Sequence, residues 1–144
     1  MKQALIITGV KPIDRKLKLL PPRLQKKVVR QAMRAGCKIL ADEVRAQAPV
    51  LSGLTKSAVK VRATKSRKRG TLGIEVQISG KVDGLIKTDS EGKGTFYPAV
   101  VQYGREGVPP NPFMSRAFES KGEAARQVTI EALRQGVERE ASQL

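Results

Sequence analysis

Three prolines within four positions constrain this chain more than any other feature. Pro109, Pro110 and Pro112 each hold φ near about −65° and remove one backbone N–H donor, so the segment can be neither helix nor central strand. The run before them, Tyr97–Tyr103, is rich in valine and tyrosine and alternates in polarity, which predicts a half-buried strand. Gly104 is predicted to end that strand. A stiff corner should therefore follow a strand.

A helix is predicted to leave this corner. Asn111 is a suitable cap residue because its side chain accepts a hydrogen bond from a free backbone N–H, and Pro112 suits the first helical position. The helix is expected to continue to about Glu140. Its predicted buried face consists of Phe113, Ala117, Ala124 and Val128.

The length of the chain and its side chains favour one domain. A chain of 144 residues suits a single domain, and aromatic residues make up only 3% of it. The core must then come from Val, Ile, Leu and Ala, which suits thin helix-on-sheet packing better than a large enclosed pocket. The formal net charge of +15 indicates a polyanion or an acidic protein surface as partner.

The most strongly predicted helix spans Arg23–Ala48. Its apolar residues cover more than half of the helix circumference, which exceeds what one buried face needs. The remaining strip is basic and carries Lys27, Arg30, Arg34, Lys38 and Arg45. Gly36 in the middle costs about 1 kcal/mol relative to alanine, so either another backbone approaches there or the defect is simply tolerated. A short helical turn, with Ile13, Leu17 and Leu20 at helical spacing, is expected before this helix.

Three further strands are predicted, with two long loops. Residues 4–10 form a short apolar strand, and 57–63 and 72–79 alternate as an antiparallel pair. Their connection, 64–71, is so rich in positive charge that it reads as a flexible, solvated hairpin tip. Residues 80–95 are predicted to be a flexible loop.

The sequence offers little for catalysis. It contains no histidine and one cysteine, Cys37, which is interpreted as a small buried apolar residue. Asp83, Asp89 and Glu91 lack the spacing of a calcium loop, although an all-carboxylate site around them is the one enzymatic alternative. We therefore predict no enzyme activity, no metal and no cofactor.

No apolar run reaches the ~20 residues that would span a bilayer, and the first ten residues lack the apolar region of a signal peptide. We expect the protein to be made in the cytoplasm and not to associate with a membrane.

Two basic features could contact phosphate groups. Lys65, Arg67, Lys68 and Arg69 cluster on the hairpin tip, and the strip on the long helix adds a second row. Aromatic residues for stacking on bases are few, and no helix-turn-helix or zinc module is recognisable. One hypothesis is therefore a nucleic-acid-binding protein that uses the hairpin without reading sequence; the other is that the charges only solvate the surface.

The order of motifs resembles a known family. A long basic helix ends in Ala48-Pro49, and Ser52-Gly53-Leu54 and Ser57 follow it. After a variable hairpin come Tyr97-Pro98 and Val101–Gly104, and then Pro109–Met114 and Ala117-Phe118. This arrangement, from Val10 to the final helix, is similar to the tail-completion and head-tail joining proteins of long-tailed bacteriophages, the neck components of lambdoid phages and prophages.

The resemblance implies an α+β subunit, with helices against an antiparallel sheet, and a structural role. Such a subunit would form a homo-oligomeric ring at the head–tail junction of the virion, between the connector (head-closure) protein and the tail-tube protein, with an axial passage for DNA. It would be made in the cytoplasm of the host bacterium. The residues then expected at the subunit interface are Val29, Met33, Gly36, Leu40, Pro109, Pro110, Pro112 and Phe113.

Overall fold

The fold was analysed in a computed structural model of the chain. The structure describes residues 2–3, 11–48, 53–64, 72–79, 85–88, 90, 92 and 94–144. The predicted strand over 4–10 and the hairpin tip over 65–71 lie outside these residues.

The described part is an α+β fold, as predicted. Its helices are α1 (Lys11–Lys18), α2 (Pro22–Gln47), α3 (Leu54–Ala58), α4 (Tyr97–Tyr103) and α5 (Phe113–Ala141). Its strands are β1 (Lys2–Gln3), β2 (Val59–Ala63), β3 (Ile74–Ile78), β4 (Ile86–Thr88) and β5 (Gly94–Phe96). The order β1-β3-β2 makes one antiparallel sheet, and β4 pairs with β5 in a second.

The long helix and the central hairpin confirm the sequence analysis. α2 begins one residue before the predicted start and ends at Gln47, with Ala48 in an extended conformation. β2 and β3 are antiparallel: Val59 pairs with Ile78 at one end and Ala63 pairs with Ile74 at the other. The two predicted alternating runs are therefore hydrogen-bonded neighbours. Ser57 and Ala58, predicted to begin the strand, instead belong to α3, whose first turn follows Gly53 at φ 70°.

Two predictions about the second half of the chain were wrong. Tyr97–Tyr103 is helix α4 rather than a strand, with Pro98 in its first turn. Proline removes a donor that a strand ladder uses but that the first helical turn does not, so Pro98 favours the helix. The segment 80–95 is not wholly a loop, because β4 and β5 lie within it and the buried Leu85 anchors them to the core.

The main core lies where α2, α5 and the three-stranded sheet meet. Leu40 and Val44 of α2 pack with Val76 of β3 and with Phe113 and Met114 of α5. A smaller cluster at the other end of α2 joins Leu20, Val28 and Val137. α2 is therefore the element on which both the sheet and the C-terminal helix are assembled.

The α5 face was predicted incorrectly. Ala124 is exposed, whereas Ala125 and Thr129 are buried against α2. Phe113 and Ala117 are buried as predicted. The buried side of α5 includes small and polar residues that an apolar pattern does not reveal.

Gly36 marks the point of closest helix approach. A Cβ atom built there would lie 1.9 Å from Thr129 Oγ1 and 2.9 Å from the carbonyl oxygen of Ala125. Of the two alternatives left open by the sequence, the close approach of another backbone is the one observed, and its source is α5 of the same chain.

Replacing Gly36 by alanine should therefore destabilise the fold by about 1 to 3 kcal/mol through overpacking, despite alanine's better helix propensity. Gly122→Ala is the matched control, since no atom lies within 4 Å of its Cβ position. The control should gain up to about 1 kcal/mol. Denaturant unfolding would measure both, and equal stabilisation by the two substitutions would contradict the close packing.

Candidate functional site

The corner between α4 and α5 is held by its own backbone. Gly104 has φ 74°, and a Cβ atom there would lie 2.9 Å from both Val108 O and Pro110 N. Arg105 and Val108 exchange backbone hydrogen bonds of 3.0 and 2.8 Å, with Gly107 at φ 76° between them. The Asn111 N–H donates to Val101 O at 2.7 Å, which ties the end of the corner back to α4. Residues 104–111 thus form a closed, rigid turn.

Gln102 joins the two helices across this corner. Its side chain is buried, its Oε1 accepts from the Met114 N–H at 3.0 Å, and its Nε2 donates to Ser115 Oγ at 2.9 Å. α5 begins at Phe113, and the Asn111 cap predicted from the sequence is not formed. The amide of Gln102 takes over that function from eleven residues before the helix starts.

Sequence reasoning missed Gln102 because the residue was placed on the polar side of a strand. The available signal was its spacing from Pro98. Both residues are buried and lie four positions apart, which is the repeat of one helical face.

Five apolar residues of the corner are exposed, beside the charged Arg105 and Glu106. Tyr103 is 64% exposed and Val108 36%. Pro109, Pro110 and Pro112 are also exposed. Because the backbone is already fixed, ordering these groups against a partner would cost little conformational entropy. The surface formed by these five residues is called the corner surface below.

The predicted interface residues on α2 and α5 occupy different environments. Gly36, Leu40 and Phe113 are buried within the chain, where α5 and the core cover them. Their assignment to a subunit interface is corrected, because the intrachain core already uses these residues. Val29 and Met33 are partly exposed, and Pro109, Pro110 and Pro112 are on the surface.

The basic residues divide into paired and unpaired groups. Lys27 binds the buried Glu140 carboxylate at 2.8 Å, and Arg45 contacts both Asp42 at 2.9 Å and Val59 O at 2.8 Å. Arg30, Arg34 and Lys38 are exposed, and the described part of the chain offers them no ion pair. Lys65, Arg67, Lys68 and Arg69 lie outside the described residues.

Cys37 is the one nucleophilic thiol of the chain. Burial raises the pKa of this thiol, and the nearby charge of Arg34 offsets part of that effect. Its Sγ lies 3.9 Å from Ile74 O, at the contact between α2 and β3. The raised pKa disfavours the reactive thiolate.

Within the residues that the structure describes, no group of three or more Cys, Asp or Glu side chains is placed to hold a metal ion. Asp83, Asp89 and Glu91 lie outside these residues. None of the described helices contains an apolar stretch sufficient to cross a bilayer.

Comparison with known proteins returned no matching family model, no matching curated protein and no matching solved structure.

The Gln102 contacts lead to a stability prediction. Gln102→Ala should cost about 1 to 3 kcal/mol, because the buried Met114 N–H loses its acceptor. Gln127→Ala is the control, since this exposed glutamine only contacts Glu123 on its own helix; its effect should stay within about 0.5 kcal/mol. Urea unfolding measures both, and equal effects would show that the Gln102 contacts add nothing to stability.

Proposed function

We propose that this protein is a non-enzymatic structural subunit of a bacteriophage neck. In this function, copies of the chain assemble into a homo-oligomeric ring that joins the head connector to the tail tube and leaves an axial passage for DNA. Its place is the head–tail junction of the virion, after synthesis in the host cytoplasm.

The corner surface is the observation that carries the proposal. It exposes a tyrosine, a valine and three prolines on a backbone that the three backbone hydrogen bonds described above and a buried glutamine hold in place. Folding alone does not require this combination, because apolar groups are more stable when buried. A pre-formed apolar surface does suit docking against another protein.

The order of motifs along the sequence is the second support. Two segments occur in an order that resembles that of phage neck proteins. They are the Ser-Gly-Leu segment after the long helix and the Pro-Pro-Asn-Pro-Phe-Met segment before the last helix. Val29 and Met33, on the partly exposed side of α2, are the helix residues that remain as candidates for contact with a neighbouring subunit.

Assembly can be tested with purified protein. Sedimentation and electron microscopy, alone and with connector or tail-tube protein, should detect rings or stable complexes. A chain that stays monomeric and binds neither protein would refute the proposal.

The corner surface yields a more specific prediction. Replacing Pro109 and Pro110 by glycine should reduce ring or complex formation strongly while lowering folding stability only by about 1 to 2 kcal/mol, the entropy that two prolines remove from the unfolded chain.

The matched control replaces Pro12 and Pro22, exposed prolines in the first turns of α1 and α2. It removes the same number of prolines and leaves the corner intact, so assembly should continue. Unchanged assembly by the Pro109/Pro110 variant would show that the corner surface is not the contact.

A further inference from the structure

Four cationic side chains form a continuous row on the outer side of α2. Lys26, Arg30, Arg34 and Lys38 follow one another at intervals of four residues, and all four are exposed. Each step rises about 6 Å along the helix, so the row is about 18 Å long. It is called the α2 ridge below.

The ridge lacks compensating charges. From Pro22 to Ala41, α2 contains no carboxylate, and no ion pair in the described part of the chain involves a ridge residue. Each pair of like charges four residues apart destabilises a helix by roughly 0.2 to 0.5 kcal/mol. The folded chain alone gains nothing from this arrangement.

The contrast with α5 shows that the ridge is a local feature. Residues 11–41 contain ten Lys or Arg and one Asp, whereas α5 contains five basic and five acidic residues. On α5, Arg126 pairs with Glu123, and Arg134 pairs with Glu131 and Glu138. Residues 11–41 therefore carry +9 of the formal net charge of +15, whereas α5 is neutral overall.

The chemistry of the ridge favours phosphate groups over an acidic protein. Protein interfaces centre on apolar or aromatic residues with charges at the rim. None of the large apolar side chains that are exposed in the described residues lies on α2. A row of cations without such a centre suits a regular array of phosphates.

The same surface favours a duplex and excludes base reading. α2 has no aromatic residue on which single-stranded bases could stack. Its amide side chains near the ridge are occupied, since Gln25 donates to Leu20 O at 2.6 Å and Gln31 accepts from Arg139 at 3.2 Å. Lys26 to Lys38 stand on one continuous helix at regular spacing, and a regular spacing of cations suits the regular phosphates of a double helix.

We propose that the α2 ridge binds the phosphate backbone of double-stranded DNA without reading its sequence. This inference does not depend on the neck function, because it concerns the surface of the single chain. Were both correct, each subunit would offer one ridge to the DNA in the axial passage.

The test measures binding of the purified protein to a short, labelled random-sequence duplex at several salt concentrations. If the four ridge cations contact phosphates, log K should fall with log salt with a slope of about −3.6, which weakens binding roughly 150-fold between about 50 and about 200 mM salt. Arg30→Gln with Arg34→Gln should halve that slope, leaving a roughly 12-fold change over the same range.

Arg126→Gln with Arg134→Gln is the matched control, since it removes the same charge from solvent-accessible positions on α5. The control should retain the wild-type slope. Thermal unfolding should show the ridge variant folded and at least as stable as the wild type, because like charges have been removed.

Several results would overturn the inference. Absence of wild-type binding, or an equal loss of slope in the α5 control, would show that the ridge is no specific contact. If the salt slope of DNA binding falls only when four other residues are changed to glutamine, the contact belongs to the hairpin tip. Those residues are Lys65, Arg67, Lys68 and Arg69. Equal competition by polyglutamate at matched charge would indicate an acidic protein partner. Ring assembly is measured separately, so each proposal can fail alone.

Discussion

The close approach of α2 and α5 is the contact on which the other elements depend. Gly36 lets the backbone of α5 come near at Ala125, and a Cβ on Gly136 would lie 2.9 Å from Val28. These two close approaches, about two helical turns apart along α2, therefore set both the distance and the register of the two longest helices. Because α2 also supports the sheet, and α5 begins at the corner, an altered register would displace the core and the corner together.

This contact also explains why α5 can be weakly amphipathic and still bury one face. Thr129 is buried, and its hydroxyl donates to the carbonyl oxygen of Ala125 at 2.8 Å. Glu140 is only 5% exposed, and Lys27 of α2 pairs with it at 2.8 Å. Buried polar groups are costly unless they are bonded, and both of these groups are. The helix is thus positioned by shape and by satisfied polar contacts more than by a stripe of large apolar residues.

The sequence predicts an element of secondary structure well where its pattern of residues lies within that element. α2 and the β2–β3 hairpin carry strong periodicity or alternation and were predicted with bounds close to those observed, and the helical spacing before α2 predicted α1 without bounds. α4 was missed because its valines and tyrosines favour a strand, whereas its conformation depends on Pro98 and on the contacts of Gln102 with α5. In the second half of α5 the buried face lies at Ala125 and Thr129 rather than at Ala124, because threonine carries no apolar signal. Strands of three residues, such as β4 and β5, are too short to show alternation.

The corner surface and the α2 ridge share one physical property. Each lowers the folding stability of the unbound chain, and a different sequence at these positions would avoid that loss. Exposed Tyr103 and Val108 retain the cost of hydrated apolar surface, and the ridge retains repulsion between neighbouring cations. Glutamate at one ridge position would turn that repulsion into attraction without touching the core, since all four positions are exposed. Departures from local stability of this kind are expected where a surface serves a partner. The two losses of stability also differ in kind, since one comes from exposed apolar groups and the other from repulsion between cations. One partner surface would not relieve both, whereas a protein contact at the corner and a phosphate contact at the ridge would together relieve both.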